Sequence, residues 1–234
     1  MPTLKNKKII AIIPARGDSK GIPNKNIIDL GGFPLIAYSI VVAKKAGLET
    51  FVSTDSERIA EISKQYGAKV IKRPQEFATD SSPDIDFVKH ALNFIEADYL
   101  VHLRPTTPFR DPEVIKQAIR EMVDSKATSM RSAHRTIESP YKFFKIKNGY
   151  FKPLIGSLEN SNLPRQLFDP AYHPNGYIDI LKVSEIGKTI HGKKILPFIT
   201  PEVIEIDRMV DLEYARLKVS ESKIYKYLHD SNKI

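Results

Sequence analysis

Between residues 7 and 134, short runs of β-branched and aromatic residues alternate with longer stretches whose apolar positions recur every three or four residues. "KKIIAIIP" is a continuous apolar run, as a strand buried on both faces requires. "LGGFPLIAYSIVVAKKAG" then reads as a helix with Pro34 in its first turn, Lys44 and Lys45 in its last, and Gly47 as its stop. "TFVSTD" and "AKVIKR" read as strands on either side of "ERIAEISKQYG", a helix capped by Asp55 or Ser56 and ended by Gly67. The series continues through a helix in "SSPDIDFVKHALNFIEA", a strand in "DYLVHLRP", a helix in "DPEVIKQAIREMVDSK" and a strand in "ATSMRSAH".

Alternation of this kind predicts the α/β class: a mostly parallel, twisted sheet with helices on both faces. Ligands of such sheets sit outside the carboxyl ends of the strands. The loops "PARGDSKG" and the one after "LVHLRP" both lie at such ends. The pattern changes after residue 138. "YKFFKIKNGYFKPL" places Asn148-Gly149 between alternating apolar segments, a hairpin signal, and residues 138–174 show no helical period. This predicts one domain over residues 1–234 with an inserted β-rich lobe at about 138–174. "PNGYIDILKV", "KILPFITP" and "EVIEID" read as further strands, and "VDLEYARLKVSESKIYKYLHD" as one closing helix.

The chain has no cysteine, which excludes disulfides, thiolate metal sites and cysteine nucleophiles. The apolar run near the N-terminus is roughly five residues, shorter than the ~7–15 of a signal peptide. No stretch approaches the ~18–20 apolar residues of a membrane span. A cytoplasmic protein with no membrane partner is therefore expected. The net charge of +8 serves general solubility or points to an anionic partner: nucleic acid, anionic lipid or a phosphorylated small molecule. Eight Lys and Arg against three Asp and Glu fall within residues 1–50, and there is no long basic run. That distribution favours a local site for a small anion over nucleic acid.

The loop "AIIPARGDSKGIPNKN" is the focus of this charge. It carries Arg16, Lys20 and Lys25 with two glycines and one apolar anchor, Ile22. It is neither a Walker A loop, which needs Gly-Lys-Ser/Thr at fixed spacing, nor a dinucleotide G-x-G-x-x-G. Its backbone amides and cations suit a phosphate cradle, and a solvated basic loop is the plainer alternative. The six histidines, His90, His102, His134, His173, His191 and His229, show no metal-ligand spacing. Tyr141, Phe143, Phe144, Tyr150 and Phe151 crowd the hairpin, as a local core or as a face for a partner.

"IIPARGDSKGIPNKN" resembles the signature loop of the CMP-sugar synthetases, the cytidylyltransferases that activate sialic acid and related nonulosonic acids. "VSTDSERIAEISKQYGAKVIKRPQEFATDSS", "LRPTTPFRDPEVIKQAI", "LPRQLFDPAYHPNGYIDI" and "EVIEIDRMVDLEYA" are similar, in order, to that family's later blocks. The resemblance spans roughly residues 8–217. It implies a Rossmann-like nucleotidyltransferase fold with a small dimerisation lobe, a homodimer, CTP and a sugar acid as substrates, and Mg²⁺ as cofactor.

Position by position, the resemblance implies a nucleotide loop of Ala15, Arg16, Gly17, Ser19, Lys20, Lys25 and Asn26, with Arg73 near the base. Arg16, Lys25 and Asp207 would carry catalysis, and Asp207 with Glu205 the metal. Arg104, Arg165, Gln166 and Asn175 would face the sugar acid, Arg165 reaching it from the partner subunit. Two positions depart from the family pattern. Glu205 stands where Asp is usual. It either shares a cation with Asp207 on one face of a strand or belongs to that strand's solvent face. Arg104 stands where Gln is common, and could bind a carboxylate or phosphate bidentately or signal a different sugar acid. Arg110 could be functional or simply pair with Asp111 or Glu113 at the helix start, and the structural reading is preferred. Activity on another sugar acid or a sugar phosphate, and a nucleotide-binding homologue without catalysis, are the alternatives.

Overall fold

The computed structural model describes residues 7–19 and 21–231. β1 (Ile9–Pro14) is followed by the short pair β2 (Asp29–Leu30) and β3 (Phe33–Pro34), then α1 (Leu35–Lys45), β4 (Glu49–Thr54), α2 (Glu57–Gln65) and β5 (Lys69–Lys72). Next come α3 (Asp84–Ala91), β6 (Tyr99–His102), α4 (Pro112–Asp124) and β7 (Ser129–Arg135). The lobe holds β8 (Phe144–Lys147) and β9 (Tyr150–Pro153). The chain returns through β10 (Tyr172–Lys182) and β11 (Ile195–Ile199) and closes with α5 (Met209–Lys218) and α6 (Lys223–Ser231).

Seven strands form one sheet in the order β11-β7-β10-β6-β1-β4-β5. All pairings are parallel except those of β10, which runs antiparallel to both β6 and β7. Central β1 shows why its sequence is a continuous apolar run. Ala11 and Ile13 face one core layer with Leu35, Ile36, Ile40 and Ile115, while Ile10 and Ile12 face a second layer with Phe87, Val88 and Leu181. Both faces are covered, so alternation with polar residues is absent. The expected α/β sheet with helices on both faces is therefore observed, as is the hairpin, whose turn has Asn148 at φ 54° and Gly149 at φ 78°. That backbone twist matches the flanking strands.

Three local expectations need correction. Residues 202–207 form no strand, although Ile206 is buried and its N–H bonds the Thr106 carbonyl at 2.8 Å. Alternation survives there without a partner strand. The closing helix is two helices, because Ser222 interrupts it: its Oγ accepts the Tyr225 N–H at 3.2 Å and caps α6. Pro34 precedes α1 rather than lying in its first turn.

α1 is locked by Tyr38, a fully buried ring whose hydroxyl donates to the Leu30 carbonyl at 2.5 Å. Tyr38→Phe should cost about 1 kcal/mol, the net worth of one such bond. A urea titration should show a lower midpoint at unchanged slope. An unchanged midpoint would mean that water replaces the lost hydroxyl.

Candidate functional site

The carboxyl ends of β1, β5 and β6 open onto one cleft of about 660 Å³. Arg16, Ser19, Lys25 and Asn26 line it from the loop after β1, Arg73 from the end of β5, Arg104 from the end of β6, and Glu205 and Asp207 from the irregular segment before α5. Four of the expected elements thus converge, as the rule for open α/β sheets requires.

The loop is shaped by its own backbone bonds. Ala15 N–H reaches the Ser53 carbonyl at 3.0 Å and Gly17 N–H the Asp55 carboxylate at 2.9 Å. These tie it to the end of β4. Asn26, nearly buried, donates from Nδ2 to the Arg16 carbonyl at 2.9 Å and closes the loop on itself. Asn26 thus shapes the cradle as well as lining it. A Cβ at Gly21 would collide with the Asp207 backbone carbonyl, so only glycine lets the loop approach that segment. Lys20, the remaining candidate of this loop, lies outside the described residues.

Both described loop cations carry a carboxylate from another wall. Arg16 Nη1 lies 2.6 Å from Asp80 Oδ1, and Lys25 Nζ 2.7 Å from Asp207 Oδ1. Arg73 is buried against the Phe87 ring and donates to the Ser53 carbonyl at 3.1 Å. Burial lowers its pKa. Arg104 spans two acids, with Nη1 2.9 Å from Asp179 and Nη2 3.0 Å from Asp84. Burial works against its charge, and the two carboxylates outweigh it, so its pKa is raised. Asp84 sits at the first turn of α3 and lines the cleft; Asp179 is wholly buried on β10.

Beside Arg104, fully buried His102 packs against Phe87. Burial, and then the Arg104 charge, lower its pKa to about 4, which leaves a neutral imidazole. Gly176 has φ 64° where β10 breaks register, and a Cβ there would touch the Glu205 carboxylate at 3.4 Å and Thr107 Oγ1 at 3.2 Å.

Glu205 and Asp207 share the cleft although no strand presents them. Burial, and then the like charge of Asp207, push the Glu205 carboxyl above its ordinary range, while Arg104, His173 and Lys25 pull it back. A raised carboxyl pKa opposes the folded state wherever the group is ionised. Glu205→Gln, without divalent cation, should therefore melt at or above the wild-type temperature near pH 7. The difference should vanish below about pH 4.5, where the acid is protonated in both states. Thermal melts at the two pH values check this; a less stable variant near pH 7 would mean that Glu205 is held by favourable contacts.

Not all candidates meet here. Asn175 is buried, donates from Nδ2 to Thr200 Oγ1 at 2.7 Å and accepts the Tyr177 N–H at 3.3 Å. It fixes the irregular turn of β10 that presents Gly176, and does not line the cleft. Arg165 and Gln166 line a separate cavity of about 350 Å³ in the lobe, where Arg165 Nη1 donates to the Ile137 carbonyl at 3.1 Å. The expected pairing of Arg110 with Asp111 or Glu113 is not observed; Arg110 is buried and bonds backbone carbonyls and Ser39. Sequence reasoning missed Asp80, Asp84 and Asp179. A signal for Asp179 was present: a lone acid inside the apolar strand "YIDILK" must have a buried partner.

Among the described residues, no group of three or more His, Cys, Asp or Glu is placed to hold a metal. Glu205 and Asp207 supply two hard oxygen ligands, which fits Mg²⁺ when substrate phosphates supply the others. The proximity of two carboxylates, one with its proton affinity raised by burial and then by the other, is the kind of site a divalent cation relieves. No helix among the described residues is long and apolar enough to cross a membrane.

Comparison with known proteins shows the family and the fold. The N-acylneuraminate cytidylyltransferase of Escherichia coli O18:K1:H7 is 36% identical over 239 residues, covering 97% of this chain and 56% of that protein. The chain thus spans about half the length of that relative. The pseudaminic acid cytidylyltransferase of Campylobacter jejuni serotype O:23/36 is 31% identical over 236 residues, covering 96% of this chain and 99% of that protein. Among solved structures, CMP:2-keto-3-deoxy-manno-octonic acid synthetase complexed with CTP superposes with a TM-score of 0.69 at 20% identity. That match covers 92% of this chain and 99% of the other, and shows a shared fold. The family described as cytidylyltransferase matches residues 10–149, the stretch that carries the β1 loop, Arg73 and Arg104. By that match and by its identity to full-length relatives, the chain belongs to the cytidylyltransferase family.

Proposed function

We propose that the protein transfers CMP from CTP to the anomeric hydroxyl of a nonulosonic, sialic-acid-like sugar acid. The observation that carries this is the convergence of Arg16, Lys25 and Arg73 with Glu205 and Asp207 in one cleft at the strand ends. In the reaction a hydroxyl oxygen bonds to the α-phosphorus as the bond from that phosphorus to the pyrophosphate oxygen breaks. The hydroxyl proton passes to solvent water, and pyrophosphate departs with the bonding pair. Alignment and charge stabilisation suffice, and no covalent nucleophile is needed.

Arg16 and Lys25 supply fixed cations for the phosphate oxygens, exchanging Asp80 and Asp207 for stronger anions. Ala15, Gly17 and Ser19 present the loop that approaches them. Asn26 keeps the loop closed, and Arg73 borders the base. Asp207 and Glu205 would hold Mg²⁺, which supplies charge neutralisation at the phosphates. Arg104 belongs to the acceptor wall. Arg165 and Gln166 lie on the lobe, so their contribution to a sugar site fits a second subunit better than their own. Exposed Ile146, Tyr150, Phe151 and Leu154 on that lobe support a homodimer. The cytoplasm is the compartment that supplies CTP.

Purified protein incubated with CTP, Mg²⁺ and a panel of nonulosonic acids should release pyrophosphate with at least one of them. Silence across the panel from folded protein rejects the activity. A second reading, nucleotide binding without catalysis, is favoured by one observation: Arg104 already satisfies two carboxylates. Calorimetry with CTP separates the two, since binding without turnover supports the second.

A further inference from the structure

Arg110 has the largest side chain among the fully buried described residues, and it is charged. Among the described residues no carboxylate forms an ion pair with it. Instead Nε donates to the Tyr177 carbonyl at 2.5 Å, Nη1 to Ser39 Oγ at 3.0 Å, and Nη2 to the carbonyls of Arg104 at 2.8 Å and Gly176 at 2.9 Å. Ser39 Oγ donates to the same Arg104 carbonyl at 3.2 Å. One planar guanidinium therefore joins the end of β6, the irregular turn of β10 and α1.

Burying a cation without an ion-pair partner is expensive, and an apolar side chain of similar length would fill the space more cheaply. What the guanidinium adds is geometry. One of the carbonyls it holds is that of Arg104, which lines the cleft. Another is that of Gly176, which lies behind the cleft within van der Waals reach of the Glu205 carboxylate. None of its bonds reaches the β1 loop or Arg73.

We propose that Arg110 is a positioning residue for the acceptor wall of the cleft, holding Arg104 and the Gly176 turn in register without touching substrate. The kinetic part of this rests on the proposed function; the structural part does not. Arg110→Met keeps length and loses every donor, and Arg110→Lys cannot span three carbonyls and a hydroxyl. Ser39→Ala removes one strand of the same clamp.

The test is amide hydrogen exchange together with steady-state kinetics. In Arg110→Met, residues 104–107 and 175–178 should exchange faster while residues 21–26 keep the wild-type rate. The KM for the sugar acid should rise about tenfold or more, a loss expected of a misplaced wall, while the Kd for CTP stays within about twofold. Ser39→Ala should show the same split, smaller in size. Unchanged exchange in both stretches, uniform acceleration everywhere, or parallel loss of CTP and acceptor binding each overturns the proposal. If Arg110→Met does not fold, Ser39→Ala decides by the presence or absence of the split. If the wild-type protein turns over no acceptor, the functional reading fails, and the exchange pattern alone decides the role of Arg110.

Discussion

Arg16→Ala should lower kcat/KM by roughly 10²–10³-fold, the size of effect seen when one preorganised donor to a developing anion is removed. Its melting temperature should stay within a few degrees of wild type. The two halves follow from one geometry. Arg16 is partly exposed and pairs with Asp80, which is also partly exposed. Such pairs contribute about 0–1 kcal/mol to stability, so folding loses little. Against a phosphate the same guanidinium makes charge-assisted bonds of about twice the ordinary strength. Its carbonyl, which anchors Asn26, is untouched by the substitution. Arg16→Lys should recover only part of the loss, because an ammonium does not reproduce the planar fork. Differential scanning calorimetry beside initial-rate kinetics checks both halves. A melting temperature lower by more than about 10 °C with less than tenfold kinetic loss would make Arg16 structural.

The fold was legible because its strongest signals are local. β1 is an unbroken β-branched run, Gly47 and Gly67 take positive φ where helices end, and Asn148-Gly149 turns a hairpin. Local signals also misled. "EVIEID" has the alternation of a strand, and Ile206 is buried as alternation requires, yet the segment finds a single bond to Thr106 rather than a ladder. A strand needs a neighbour, and sequence alone does not say whether an edge is free. The β1 loop, Arg73, Arg104, Glu205 and Asp207 were legible as one site through the resemblance. The charges that balance them were not. Asp80, Asp84 and Asp179 lie far from their partners in sequence, and only the sheet order brings β10 beside β6. Asn175 shows the converse: a polar residue in a motif can serve the backbone of the site, here the turn at Gly176, rather than its surface.

Asp207→Asn should separate metal dependence from nucleotide binding. Asp207 does two things in this structure: it accepts the Lys25 ammonium at 2.7 Å and it raises the proton affinity of Glu205. An amide keeps the shape and removes the charge. Without divalent cation, CTP should then bind as tightly as to wild type or more tightly. Lys25 no longer has a competing carboxylate, and one repulsion with the phosphates is gone. With Mg²⁺ the opposite holds. Glu205 alone supplies one carboxylate, and the loss of several kcal/mol of charge stabilisation lowers kcat by roughly 10²–10⁴-fold. The Mg²⁺ concentration for half-maximal rate should also rise at least about tenfold, as it does when a metal site is weakened. Fluorescence or calorimetric titration of CTP with and without Mg²⁺, beside a Mg²⁺ titration of the rate, reads all three quantities. If metal-free CTP binding weakens in step with the rate, Asp207 acts by holding Lys25 and the β1 loop, and the metal belongs elsewhere. If the Mg²⁺ requirement is unchanged, Glu205 and Asp207 are a charged wall and not a ligand pair.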